Sequence, residues 1–339
     1  MSTLGFWEKL KKPFFCLAPM SDVTDIAFRQ ILAKYGKNRE NKDRVVFWTE
    51  FVSADGLSNK LGRKKLSHML KFKESERPIV AQVFGSNEDN MKKACQYVAS
   101  LDFDGIDINM GCPDKSVISQ GAGAGLIKTP ELARKIIRAA HLGIEAAGKD
   151  IPVSVKTRIG FNKEEIDIWI PELLKEDISA LTIHLRTAKE MSLVPANWDH
   201  IKKIKELIKK SGKDILLIGN GDIKDLKDGE ERVMKYGCDG VMIGRGIFGN
   251  PWFFLLNKNS DISIKEKLEA LVEHTQIFDK ELAIPKHKSF AVMKKHFKAY
   301  VNGFDGAKEL RVKLMEVDNA KQVEKIVKEF LKNNKSVIY

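Results

Sequence analysis

Short apolar runs rich in β-branched residues recur along the chain, separated by longer stretches whose apolar positions return at helical spacing. Eight runs stand out: FFCLAPM (14–20), VVFWTEF (45–51), PIVAQVFG (78–85), GIDINMG (105–111), PVSVKTR (152–158), ALTIHLR (180–186), DILLIGN (214–220) and GVMIGRG (240–246). Most are continuous rather than alternating, the pattern of strands buried on both faces of a parallel sheet. The stretches between them include NEDNMKKACQYVASL, TPELARKIIRAAHLGIEAA and NWDHIKKIKELIKKSG. The first opens on Asn87 and the second on Thr129-Pro130, residue types suited to a helix cap and first turn. Eight strands with a crossover between successive ones predict the α/β class and a closed (β/α)8 TIM barrel. An open doubly wound sheet competes, but it has no need of polar residues at the end of every strand. Here those ends carry Pro19-Met20, Glu50, Gln82, Asn109, Lys156 to Arg158, His184 to Arg186, Asn220 to Asp222 and Gly244-Arg245. Barrel enzymes place their chemistry at that rim.

After Pro251 the strand pattern stops and helical periodicity takes over. The expected organisation is a catalytic barrel over 1–255 and a small C-terminal all-helical domain over 256–339. Within the tail, KHKSFAVMKKHFKAYVNGF (286–304) holds five lysines and no acid, so one helical face should be basic. Residues 37–44 (KNRENKDR) read as a charged surface excursion before the second strand.

Composition narrows the picture. The 339 residues are 43% hydrophobic and 31% charged, as in a globular protein with one large core and a smaller module. No run of about 18 apolar residues spans a bilayer, and MSTLGFWEKLKKPFF lacks an apolar region followed by a small-residue cleavage site. The four cysteines are scattered without a C-x-x-C pair, against a zinc site or a disulfide framework. The expected setting is cytoplasmic, with neither membrane nor metal. The net charge of +12 suits a polyanionic partner, although a generally lysine-rich surface accounts for it equally well.

Three constellations carry candidate chemistry. Asn109-Met110-Gly111-Cys112-Pro113 puts a thiol in a Gly–Pro loop at the rim, where it can be nucleophile, metal ligand, general acid or an inert loop cysteine. The absence of nearby Cys or His at ligand spacing disfavours metal. Asn220-Gly221-Asp222 and Gly244-Arg245-Gly246 end the seventh and eighth strands, where many barrels hold a cofactor phosphate on backbone N–H groups and an arginine fork. Two ordinary tight turns are the alternative. Lys156, His184 and Gln82 suit a flavin ring, because a lysine stabilises charge gained on reduction and a glutamine pairs with the ring edge. A single His or Lys at a strand end, taken alone, reads better as a satisfied rim residue. Gly121-Ala122-Gly123-Ala124-Gly125 follows a loop and not a strand, so it is no dinucleotide fingerprint; a mobile loop beside Cys112 is expected.

Taken in order, Leu17-Ala18-Pro19-Met20-x-x-Val23-Thr24-Asp25, Gln82-x-x-Gly85, Asn109-x-Gly111-Cys112-Pro113, Gly121-Ala122-Gly123-Ala124, Lys156-x-Arg158-x-Gly160, His184-x-Arg186, Asn220-Gly221-Asp222 and Gly244-Arg245-Gly246 resemble the tRNA-dihydrouridine synthases. Lys295-His296-x-x-x-Tyr300-x-x-Gly303 and Leu310-Arg311 extend the resemblance into the tail. It implies an FMN enzyme reduced by NADPH or NADH, which delivers hydride to C6 of specific uridines in tRNA. Cys112 is then the acid that protonates C5. Ala18, Pro19, Met20, Gln82, Lys156 and His184 are expected around the flavin ring. Asn220, Gly221, Asp222, Gly244 and Arg245 fall to its phosphate, and Asn109, Arg158 and Arg186 to the uridine or its phosphate. The tail grips tRNA, and a monomer on tRNA is expected. Asp22 stands where a small residue is usual, which should change the packing of the first loop. Two rivals remain: a small-molecule FMN barrel enzyme resembling dihydroorotate dehydrogenase, and a catalytically idle RNA-binding protein on the same scaffold.

Overall fold

The computed structural model describes residues 4–255 and 262–334. Residues 256–261, where the sequence boundary between barrel and tail falls, and the last lysine of the tail, Lys335, lie outside the described residues.

Eight parallel strands close into a barrel in chain order: β1 (Phe14–Leu17), β2 (Val45–Ser53), β3 (Ile79–Phe84), β4 (Gly105–Met110), β5 (Val153–Arg158), β6 (Ala180–His184), β7 (Leu216–Asn220) and β8 (Gly240–Ile243). The (β/α)8 expectation holds, and β1 pairs with β8 to seal the cylinder. Several strands end before the apolar runs do, because the last residues of those runs belong to the loops at the rim. The period-two alternation of a strand decides what faces inward. Phe14, Cys16, Val46, Trp48, Val80, Ala180, Leu216, Ile218 and Met242 form one buried cluster inside the barrel. Trp7, on the 3-10 turn Gly5–Lys9, joins it. Two residues beyond Val80 on β3 and Ile218 on β7, the same inward faces carry Gln82 and Asn220, and β5 adds Lys156, so the interior becomes polar toward the C-terminal rim.

The helical expectations hold with adjusted ends. Helix Glu88–Ala99 is capped by the Asn87 side chain, which accepts from Asn90 N. Helix Pro130–Ala146 has its proline in the first turn, but the Thr129 hydroxyl makes no capping bond. Helix His200–Ser211 ends on Gly212 at φ +70°, the left-handed position that favours glycine.

Contacts divide the chain into two compact units whose segments interleave. One holds Met1–Ser21, Asp43–Leu70 and Arg77–Gly244; the other holds Asp22–Lys42, Lys71–Glu76 and Arg245–Tyr339. The second is helical among its described residues, with Ile26–Gly36, Ile264–Phe278, Lys294–Tyr300, Ala307–Met315 and Ala320–Asn333. The crossover helix after β1 therefore packs with the tail. Its Arg29 is wholly buried and donates to Glu76 Oε2 at 2.6 Å and to the carbonyl of Thr24 at 2.6 Å. The 37–44 excursion is anchored: buried Asn41 donates to the carbonyls of Gly36 and Phe254. Asp22 sits at φ +56° within 3.0 Å of Lys288 Nζ, so the residue that departs from the usual small one forms an ion pair. No helix of the described residues is long and apolar enough to cross a membrane.

Candidate active site at the barrel rim

The polar residues at the strand ends converge because parallel strands in register point equivalent side chains the same way. Gln82 is opposite Asp107 across β3 and β4, and Asp107 is opposite Ser154 across β4 and β5. One row up, Asn109 is opposite Lys156, and above that Arg158 is opposite His184, which is opposite Asn220.

The Cys112 loop is held from both sides. Asn109 Oδ1 accepts the backbone N–H groups of Gly111 at 3.1 Å and Cys112 at 2.9 Å. The Cys112 carbonyl accepts from Ala124 N at 3.0 Å. A Cβ on Gly123, itself at φ +56°, would come within 2.9 Å of that carbonyl, so glycine permits this close approach. The expected mobile glycine loop is instead a buried 3-10 turn, Gly123–Lys128, wrapped under the thiol. Apolar Ala124, Leu126 and Ile127 anchor it, a signal the glycines masked. Cys112 alone among the cysteines is partly exposed. Burial raises its pKa above the usual thiol value, against the opposing pull of the Asp114 backbone N–H, Arg158 and Lys156. The group is therefore a protonated thiol at neutral pH, suited to giving a proton rather than to attacking as a thiolate.

Lys156 Nζ donates to Asn220 Oδ1 at 3.1 Å, and Asn220 Nδ2 donates to the Met242 carbonyl at 2.8 Å. Burial, and secondarily the Arg158 charge, lower Lys156 to about 8, so it is a cation at neutral pH that discharges just above. The hydroxyl of Thr182, opposite Lys156 in register, is buried without a hydrogen-bond partner. An unanswered polar atom at this depth beside a lysine fits a site made for a polar ring.

Other assignments shift in detail. Arg158 is turned into the protein and donates to the carbonyls of Gly111, Thr187 and Met191. Arg186 grips both oxygens of Asp222 at 2.7 and 2.6 Å, donates to the Val194 carbonyl and lies 3.1 Å from His184 Nε2. Its bond to the ring nitrogen makes His184 Nε2 the acceptor. The Asp222 carboxylate is thus engaged by Arg186 and by Ala196 N. Gly221 at φ +134° and Asp222 at φ +54° shape the backbone here, and Trp198 Nε1 donates to the Gly221 carbonyl at 3.0 Å. At the β1–β8 seam, a Cβ on Gly244 would meet nothing nearer than Met20 Sδ at 3.7 Å and Ala18 Cβ at 3.9 Å. This glycine serves neither packing nor a positive φ; it leaves open a cradle that a side chain would fill, as close approach of a ligand requires. Pro19 lies half-buried between Ala18 and Met20, and exposed Arg245 opens the turn Arg245–Ile247 in the second unit.

Asp107 was not among the sequence candidates, yet it is the buried carboxylate beneath the site. It accepts from Gln82 Nε2 at 2.6 Å and from Ser154 Oγ at 2.6 Å, and burial pushes it up to about 6. Its signal was a charged residue two positions before Asn109 on the inward face of an otherwise apolar strand. Gln82 is likewise committed: it donates to Asp107 and accepts from Asn109 Nδ2 at 2.9 Å. Gln82 is fully buried in this arrangement. Among the described residues no group of three or more His, Cys, Asp or Glu side chains is placed to hold a metal.

In the helical unit, a groove of about 520 Å³ is lined by Phe297, Val312 and Met315 together with Lys294, Lys295, Lys298, Lys308 and Arg311. No acid lines it.

The closed parallel barrel gathers a lysine, a protonated thiol and oriented amides at its C-terminal rim, the end at which barrel enzymes carry their chemistry. The match to the family described as Dihydrouridine synthase (Dus) spans residues 16–336. The chain is 40% identical over 329 residues to the probable tRNA-dihydrouridine synthase 2 of Bacillus subtilis (strain 168), covering 97% of each. It is also 40% identical over 327 residues to the probable tRNA-dihydrouridine synthase of Staphylococcus aureus (strain COL), covering 96% of this chain and 95% of that one. Among solved structures, a complex of 2-naphthoyl-CoA reductase with 2-naphthoyl-CoA aligns with a TM-score of 0.52 at 11% identity, over 75% of this chain and 52% of that one, a likeness of fold alone. The chain belongs to the dihydrouridine synthase family and is an oxidoreductase.

Proposed function

We propose that the protein reduces uridines in tRNA to 5,6-dihydrouridine, with FMN at the barrel rim and NADPH or NADH as the electron source. The observation that carries this reading is the protonated Cys112 thiol, held by Asn109 and Ala124 beside the Lys156 cation in a member of this family. When bound, the flavin supplies hydride for C6 of the base. Cys112 gives the proton at C5, so that the C5–C6 double bond is replaced by two C–H bonds. The charges of Lys156 and Arg158 favour the thiolate left behind, which solvent then reprotonates.

The other residues bind and orient. Lys156, Gln82 and Thr182 Oγ1 meet the polar edge of the ring, while Ala18, Pro19, Met20 and His184 pack around it. The backbone at Gly221, Asp222 and Gly244, with Arg245, takes the phosphate. Asn109 meets the uridine, while Arg158 and Arg186 act mainly by fixing the loops around it. The basic groove of the helical unit takes the tRNA backbone, because cationic side chains interleaved with apolar ones, with no acid in the lining, suit phosphates beside an unstacked base. The target base leaves its stack to reach the barrel mouth.

The test is anaerobic. The purified flavoprotein is reduced with NADPH, and flavin absorbance is followed on adding unmodified tRNA, with free uridine as control. Reoxidation by tRNA alone is expected. A bound, reducible flavin that tRNA leaves reduced would point to a small-molecule reductase instead.

A further inference from the structure

The hydrogen bonds beneath Cys112 form a chain that can run in one direction only. At one end, the N–H groups of Gly111 and Cys112 can only donate, and both give to Asn109 Oδ1. At the other end an ionised Asp107 can only accept, and it takes Gln82 Nε2 on one oxygen and Ser154 Oγ on the other. Between them lie two amides, joined by Asn109 Nδ2 donating to Gln82 Oε1 at 2.9 Å. An amide flip at either would set donor against donor. Turning Gln82 over would face its NH2 group to that of Asn109; turning Asn109 over in response would present its NH2 group to the N–H groups of the thiol loop. Gln82 and Asp107 are both fully buried, so water cannot repair a broken link.

We infer that Asp107 is a positioning residue: its carboxylate sets the direction of the Gln82–Asn109 amide chain and thereby holds the Cys112 loop in its working geometry. This rests on the reading of Cys112 as the proton donor. Asp107 touches neither the thiol nor the base; it acts through two other side chains. The groups that face it are Gln82 and Ser154 by hydrogen bond, the Trp48 indole, the Lys156 cation, and the fully buried Cys16 thiol across the barrel. Burial works against the ionised form and brings the carboxyl within reach of mildly acidic pH, whereas the hydrogen bonds from Gln82 and Ser154, the Lys156 cation and the Trp48 indole favour it. Once protonated, Asp107 becomes able to donate, and the single direction of the chain is lost.

The thiol itself reports on the chain independently of tRNA turnover. Cys16, Cys95 and Cys238 are buried, so 4,4′-dithiodipyridine should label Cys112 alone in the folded protein, with Cys112→Ser as the blank. The labelling rate is measured from pH 5 to 8 in the wild type, Asp107→Asn and Asp107→Leu. Asparagine can donate as well as accept, like the protonated carboxyl, so Asp107→Asn should label at pH 7 at the rate the wild type reaches only below pH 6, and should lose the inflection expected near pH 6. Asp107→Leu strands Gln82 Nε2 and should label roughly tenfold faster, the scale of one lost buried hydrogen bond. An inflection that persists in Asp107→Asn, or a folded Asp107→Leu with unchanged labelling, overturns the inference. Should Asp107→Leu fail to fold, the asparagine profile decides alone. Failure of tRNA turnover in the wild type would instead strike the functional reading and leave the labelling result standing.

Discussion

Cys112 and Lys156 show how surroundings assign roles to residue types that sequence leaves open. A rim thiol could have been nucleophile, ligand, acid or bystander; burial in its 3-10 cradle raises its pKa and keeps it protonated, the state that the proposed acid role requires. Cys112→Ala should lower uridine reduction by roughly 10²- to 10⁴-fold, the usual contribution of a general acid, with flavin reduction by NADPH unchanged. Single-turnover mixing of reduced enzyme with tRNA measures both steps; an unimpaired variant removes the acid role. Lys156 carries a pH signature. Because its pKa is lowered to about 8, the cation is present below that pH and lost above it. Affinity of the apoprotein for FMN should therefore fall, by roughly tenfold, as pH rises through 8. In Lys156→Arg, where the charge does not titrate in this range, affinity should stay flat across the same range. A fluorescence titration series at fixed ionic strength makes the comparison.

At the scale of elements, close packing decides what the periodic pattern only suggests. Helices Glu88–Ala99 and Pro130–Ala146 approach at Gly143, where a Cβ would lie 2.3 Å from the Lys92 carbonyl and 2.9 Å from Gln96 N. Those are backbone atoms and cannot move aside. Gly143→Val should cost more than about 2 kcal/mol in urea denaturation, despite valine being no worse than glycine in helix propensity. A second pair of elements meets in the helical unit. There His274 on Ile264–Phe278 and His296 on Lys294–Tyr300 stack edge to face at 4.8 Å, with Phe28 beside both. Burial lowers both imidazoles, His296 to about 3, with Lys295 and Lys288 adding to the effect, and both are neutral in the fold. An unfolded histidine takes its proton near pH 6.5. The stability these groups contribute is present above that pH and is lost as pH falls below it, at about 1.4 kcal/mol per pH unit for each. Urea midpoints at pH 7, 6 and 5 should decline less steeply in His296→Phe than in the wild type. Parallel slopes would show that the pair does not titrate against folding.

For the whole molecule, the interleaved units change how the tRNA-binding role can be tested. Helix Ile26–Gly36 shares its unit with the tail, so cutting off residues 256–339 would also strip the packing partners of that helix. Charge reversal is the cleaner instrument. Lys294→Glu with Lys298→Glu should weaken tRNA binding and make the dependence of log K on log salt shallower by about one to two, while flavin reduction by NADPH stays intact. Filter binding across a salt series reads it, and an unchanged slope would move the RNA contact off this groove.

The chain alone determined much of this protein, because its strongest signals are periodic or ordered. Continuous apolar runs separated by amphipathic ones point to a parallel sheet covered on both faces, and the polar residues at the end of every strand favour its closure into a barrel. Strand-end residues in a fixed order specify the family, since the rim collects them whatever the loops do. What tertiary structure decided is what depends on register and on burial. Asp107 became part of the site because β3, β4 and β5 align it with Gln82 and Ser154. Arg158, Arg186 and the Asp222 carboxylate, which read as ligand groups, are turned to carbonyls and to one another. The glycine run became a buried cradle, and the first crossover helix joined the tail. Residue type states what a side chain can bond to; only the folded chain determines which of those bonds its neighbours have already taken.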